Sequence, residues 1–188
     1  MLEDENAVVL DFLLHGKSTG FKQMPIAQVI GTQYFTLLEV VPKPNVNLKA
    51  GQQVYIGKGE RKEIELIKRR ISFKDLTSSA VAEIDKTIEH LVSINEARFV
   101  EFFNNSRSIT IKRHQLELLP GLGKKHMLSV LGEREKAPFT SFKDIEGRVP
   151  LIPNVPKKVV KRIIEELDGE EEKHFLFVKP FVKKEEDY

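Results

Sequence analysis

Hydrophobic and polar positions follow two rhythms along the chain. Up to about residue 60 the apolar residues come in short runs rich in Val, Ile, Thr and aromatics, the mark of strands: Ala7 to Leu14, Ala27 to Gly31, Tyr34 to Val41 and Gln53 to Gly57. Gly16 to Lys22 and Pro42 to Gly51 read as the loops between them. Lys62 to Arg70 alternates around Ile64 and Leu66 and predicts one more strand. Several short strands without intervening helices predict a small barrel. Beyond Ser72 to Leu76 the period changes. Val81, Ile84, Ile88, Leu91 and Val92 give a helix from Ser79 to Ile94, and Ala97, Phe99, Val100 and Phe103 a second from Asn95. Thr110 is placed to cap a third helix reaching Leu118. Ser141 caps a fourth through Glu146, with Asp144 at the third position, and Lys157 to Leu167 forms a fifth, stopped by Asp168-Gly169. Phe175 to Val178 fits a final short strand or an apolar anchor under a loop, and the tail from Lys183 reads as disordered.

One segment is repeated. Leu118-Leu119-Pro120-Gly121-Leu122-Gly123-Lys124-Lys125 recurs 33 positions later as Leu151-Ile152-Pro153-Asn154-Val155-Pro156-Lys157-Lys158. Each copy has two aliphatics, a proline, a turn residue, an aliphatic, a breaker and two lysines, and each runs into a helical pattern. A tight turn opening onto a helix start leaves free N–H groups and the positive end of the dipole facing outward. Two lysines there make an anion site, and phosphate is its natural ligand. Leu122 is expected to plug the turn into the core. In the second copy Asn154 tolerates the left-handed conformation, but Pro156 has no N–H to donate.

Pro120-Gly121-Leu122-Gly123-Lys124-Lys125 resembles the hairpin of the helix-hairpin-helix motif, usually Pro-Gly-Ile/Val-Gly-x-Lys. The resemblance implies that hairpin amides grip DNA or RNA phosphates without reading bases, with a second, degenerate hairpin packed against the first. A barrel followed by tandem hairpins has the domain order of the Holliday-junction-binding subunit of the bacterial branch-migration machine. Over nearly the whole chain the sequence is more similar to an uncharacterised archaeal family with predicted nucleic-acid-binding function. That similarity runs through Phe102-Phe103-Asn104-Asn105, Arg113 to Lys125 and Arg162 to Leu167. The fold expected is α+β: an OB-like barrel at 1–76, an all-α tandem helix-hairpin-helix domain at 77–169, and a short strand with an acidic and basic tail at 170–188.

Composition narrows the setting. The net charge of +2 excludes a histone-like polymer, yet Lys and Arg gather at 58–74, 112–136 and 143–162 while acids gather at both ends. A near-neutral chain can carry a basic face in this way. There is no Cys, hence no disulfide framework or thiolate metal site. No apolar run reaches membrane-spanning length, and the acidic start lacks a signal peptide's basic end, so a cytoplasmic protein is expected.

Some patterns look catalytic and fail on inspection. His15-Gly16-Lys17-Ser18-Thr19 has the end of a P-loop, but Asp11 stands where the first glycine belongs. Gly57-Lys58-Gly59 is another partial match. His15, His90, His114, His126 and His174 are scattered, without metal-ligand spacing. His114 suits packing or a surface position near the hairpin, and His126 a phosphate contact. Glu165-Glu166 and Glu170 to Glu172 read as a solvated helix end. Lys68-Arg69-Arg70 beside Phe73 suits a strand-binding barrel face or a charge-guarded edge strand. Tyr34, Phe35 and Tyr55 are candidates for base stacking or core burial.

The expectation is a non-enzymatic binder of RNA or DNA backbone, indifferent to base sequence. Its contact residues are Gly121, Leu122, Gly123, Lys124, Lys125, Lys157 and Lys158 at the hairpins and Lys68, Arg69 and Arg70 on the barrel, with no cofactor or metal. The alternatives are a protein-interaction adaptor docking through the degenerate second hairpin, and a metal-dependent nuclease.

Overall fold

The structure, a computed structural model, describes residues 3–16, 24–169 and 173–181. Lys17, Lys22, Glu170 to Glu172 and the tail from Lys183 lie outside these. The chain is α+β. It forms two compact units, Met1–Thr87 with Glu165–Tyr188, and Ile88–Ile164.

The first unit is built on strands β1 (Asn6–Leu13), β2 (Ile26–Gly31), β3 (Leu37–Pro42), β4 (Gln53–Tyr55) and β5 (Ile64–Arg70). They form one curled antiparallel sheet in the order β4-β1-β2-β3-β5. β4 and β5 are its two edges and do not pair with each other, so the expected barrel is a half-barrel. β4 is three residues long, too short to close it. Ala7, Val9, Ala27, Val29, Leu38, Val40, Val54 and Ile64 fill the inner face.

β2 and β3 are buried along their whole length, which explains their nearly continuous apolar sequence. Polar residues interrupt it in one lateral row. Asp11, Gln28, Glu39 and Arg69 are successive neighbours across four strands. Arg69 Nε meets Glu39 Oε2 at 2.7 Å. Gln28 donates to the Asp75 carbonyl at 2.9 Å and accepts the Thr77 amide at 2.9 Å. The Thr77 hydroxyl donates to Asp11 at 2.6 Å and accepts the Ala80 amide, capping helix α1 (Ser78–Ile94). The row therefore fixes where the chain changes from strand to helix. Each buried polar group in it has a partner, as burial demands.

Residues 173–181 form no strand. Phe177 and Val178 are buried, which matches the anchor reading. Their amides and that of Leu176 are taken by the Glu166 carboxylate at 2.7–2.9 Å. Glu166 is thus 2% exposed, not part of a solvated helix end. Farther on, the Lys179 amide donates to Tyr34, and Arg70 donates to the Lys179 carbonyl.

The second unit holds α2 (Glu96–Asn105), a ribbon of β6 (Ser108–Thr110) and β7 (Arg113–His114), α3 (Lys124–Lys136), α4 (Phe142–Arg148) and the start of α5 (Val155–Asp168). The helix expected from Thr110 to Leu118 is instead this ribbon followed by a 3-10 turn at Gln115–Leu118. Ile109, Thr110 and Ile111 are β-branched, and their stiff side chains favour the ribbon. His114 begins the 3-10 turn: its Nδ1 accepts the Leu116 amide, while its own amide donates to Glu117. Ser141 caps α4 through the Asp144 amide, as expected.

Burial and the Arg134 charge push the His114 imidazole below its ordinary pKa, against the pull of Glu117. An unfolded histidine titrates near 6.5, so below that pH the unfolded chain binds the extra proton more readily and stability falls. Protonation at Nδ1 would also end the cap. We expect the Tm difference between wild type and His114→Asn to shift against wild type as pH drops below about 6.5, because Asn keeps a cap acceptor without titrating. A pH-independent difference would contradict this.

Candidate nucleic-acid interface

The first hairpin is built by a turn and a helix start. Leu119 to Leu122 closes with the Leu122 amide on the Leu119 carbonyl at 3.0 Å. Pro120 and Gly121 occupy its centre, with Gly121 at φ +75°, the conformation a type II turn requires of its third residue. The Leu122 side chain is 3% exposed and plugs the core beneath. Gly123 then N-caps α3 with ordinary extended backbone, and a side chain added there would meet nothing within 4 Å. The Gly123, Lys124 and Lys125 amides have no acceptor among the described residues, and both lysines are exposed.

The second hairpin repeats the left-handed turn residue but neither the closing bond nor the opening. Asn154, the counterpart of Gly121, is also left-handed at φ +51°. Val155 is buried like Leu122. Its amide is taken by the Glu146 carboxylate at 2.7 Å, and the Lys157 amide by the Asn154 side chain at 3.2 Å. Pro156 has no N–H. The positions equivalent to the open Gly123, Lys124 and Lys125 amides are thus closed by Pro156 itself and by the Asn154 side chain and carbonyl, the latter taking the Lys158 amide at 3.3 Å.

Two bonds tie the copies together. Lys158 reaches back to donate to the Pro120 carbonyl at 3.2 Å, bringing its ammonium beside Gly121. His126 Nε2 donates to the Leu151 carbonyl at 2.9 Å. The sequence assigned Lys158 to its own hairpin; the structure places its charge at the first. Lys157 is exposed. Two arginines of the basic stretches have structural work instead. Arg134 caps the end of α2 through the Phe103 and Ser106 carbonyls. Arg148 donates to the Glu133 and Ala137 carbonyls and lies over the Phe139 ring.

On the sheet, Lys68 is exposed at edge strand β5. Arg69 is paired to buried Glu39, which raises its pKa. Arg70 is half-buried, and desolvation lowers its pKa. β5 carries two bulges beside its charges, as guarded edges do. A cleft of about 620 Å³ between β4 and β5 is lined by Lys58, Arg61 and Arg70 but also by Glu3, Asp4 and Glu5. Its charge is mixed, unlike a phosphate channel. Phe35 is buried in the core, and the Tyr55 ring packs on Gly57 with its hydroxyl accepting the Gly59 amide. The Gly57-Lys58-Gly59 stretch therefore makes room for Tyr55. Among the described residues no three His, Asp or Glu side chains gather as metal ligands, and no helix is long and apolar enough to cross a membrane.

These features define an α+β protein with a curled antiparallel sheet followed by helices, in which one copy of a repeated turn opens onto its helix and the other is closed. The chain belongs to the family described as protein of unknown function DUF655, whose model matches residues 3–179. It is 43% identical over 174 residues to the uncharacterized protein MJ0038 of Methanocaldococcus jannaschii, covering 92% of this chain and 79% of that protein. It is similar to the crystal structure of Af1531 from Archaeoglobus fulgidus, a member of the same family, with a TM-score of 0.85 and 43% identity over 94% of this chain and all of that one.

Proposed function

We propose that the protein is a non-enzymatic binder of RNA or DNA backbone that holds phosphate at its first hairpin. The observation that carries this reading is the contrast between the copies. The Gly123, Lys124 and Lys125 amides stand open beside two exposed lysines. The equivalent part of the second hairpin is closed by Pro156, which has no N–H, and by Asn154, whose side chain and carbonyl take the Lys157 and Lys158 amides. Lys158 supplies a third ammonium to the open copy. Donors of this kind recognise phosphate and carry no base information.

Binding should therefore vary little with sequence and fall steeply with salt, through counterion release. The test is a titration of the full chain with generic duplex and single-stranded probes, in DNA and in RNA, across a salt series. A linear log–log slope of about −2 or steeper, alike for unrelated sequences, is expected. Absence of binding at low salt, or a salt-independent affinity, would overturn the proposal.

A further inference from the structure

Leu151 breaks the rule that its neighbours keep. Its backbone lies at φ +63° and its side chain is 78% exposed. Proline followed by a positive-φ residue is the type II arrangement, whose third position ordinarily carries Gly or Asn because a Cβ crowds the next carbonyl. Gly121 and Asn154 obey this in the two hairpin turns. After Pro150 a leucine stands there instead and gains no burial. Its counterpart in the repeat, Leu118, is 5% exposed.

The turn is nonetheless held in place. His126 fixes the Leu151 carbonyl, Pro150 and Pro153 flank it, and Ile152 is buried. His126 directly follows Lys124 and Lys125 in the first turn of α3, so the exposed leucine stands one imidazole away from the open helix start. Lys124 and Lys125, next to His126 in the chain, and Lys157 are exposed, while Glu146 is engaged at the Val155 amide. A strained, exposed apolar side chain tied through His126 to the helix start that carries Lys124 and Lys125 fits a ligand with an anionic exterior and an apolar interior. Stacked bases behind phosphates are such a ligand.

We propose that Leu151 is a wedge that enters an interrupted base step of a helical nucleic acid, beside the phosphate held at the first hairpin. The ligand class is then a duplex with a bulge or mismatch, in preference to a perfect one. Aliphatic side chains that insert between bases must unstack them, and that cost is smallest where pairing is already broken. The inference rests on the backbone-binding reading above.

The experiment uses a short duplex with 2-aminopurine beside a single-nucleotide bulge, and its perfect counterpart, each in DNA and in RNA. Wild type should bind a bulged probe about tenfold more tightly and brighten the 2-aminopurine. Leu151→Gly and Leu151→Ala should erase both effects while keeping the salt slope. Glycine suits the left-handed turn, so Leu151→Gly should melt no lower than wild type, which excludes misfolding as the cause. Equal binding of bulged and perfect probes by wild type, or a preference that survives in both variants, overturns the wedge and leaves the backbone grip standing. If wild type binds no probe, the backbone-binding reading itself fails and takes the wedge with it.

Discussion

Lys124→Glu combined with Lys125→Glu is expected to weaken binding to every nucleic acid tested by at least roughly thirtyfold, on the basis of about 1 kcal/mol per ammonium lost near an anionic surface. The log–log salt slope should flatten by about two units, one for each phosphate contact removed. The fold should survive. Both side chains are exposed, and acids in the first turn of a helix complement its dipole better than lysines do. A filter-binding or anisotropy series with a parallel melting curve checks this. Unchanged affinity and slope in the folded variant would remove the hairpin from the interface.

Gly123→Val sharpens the same point. Gly123 has φ −85° and open space where a Cβ would go, so valine there meets no clash in the fold, costs about 1 kcal/mol as a poorer helix cap, and obstructs an approaching ligand. The strained glycine is Gly121, at φ +75°, where any side chain would also crowd Lys158. Binding should fall for Gly123→Val and hold for Pro156→Ala, which restores an amide to the closed hairpin and removes no contact.

Much of this surface was legible in the sequence because a turn advertises itself. Pro120-Gly121 and Pro153-Asn154 state their dihedral demands residue by residue, and the 33-residue spacing aligns them. Long-range partners are less legible. Glu39 sits within Leu37-Leu38-Glu39-Val40-Val41, and a lone acid in an apolar strand calls for a buried partner, but nothing local points to Arg69. Hence Arg69 reads as a contact residue when it in fact serves a carboxylate, and the basic stretches give no sign that Arg134 and Arg148 serve carbonyls. The ribbon before the first hairpin had a signal in its β-branched residues. Thr110 as a helix cap competed with it, because threonine favours both roles.

The C-terminal segment carries the second large effect. Glu166→Ala should destabilise the first unit by roughly 3–5 kcal/mol, since three amides lose a charged acceptor at 2.7–2.9 Å. An apolar run with bound amides looks like a strand from sequence, yet here the acceptor is one side chain from the end of α5, and removing it releases the whole run. Phe177 and Val178 then lose their burial as well. The release should be visible as fast hydrogen exchange at residues 176–178, confined at first to the amides that Glu166 holds. Glu166→Gln keeps one neutral acceptor and should retain part of the protection. If Glu166→Ala melted like wild type, with amides 176–178 still protected, the carboxylate would not be what holds the segment down.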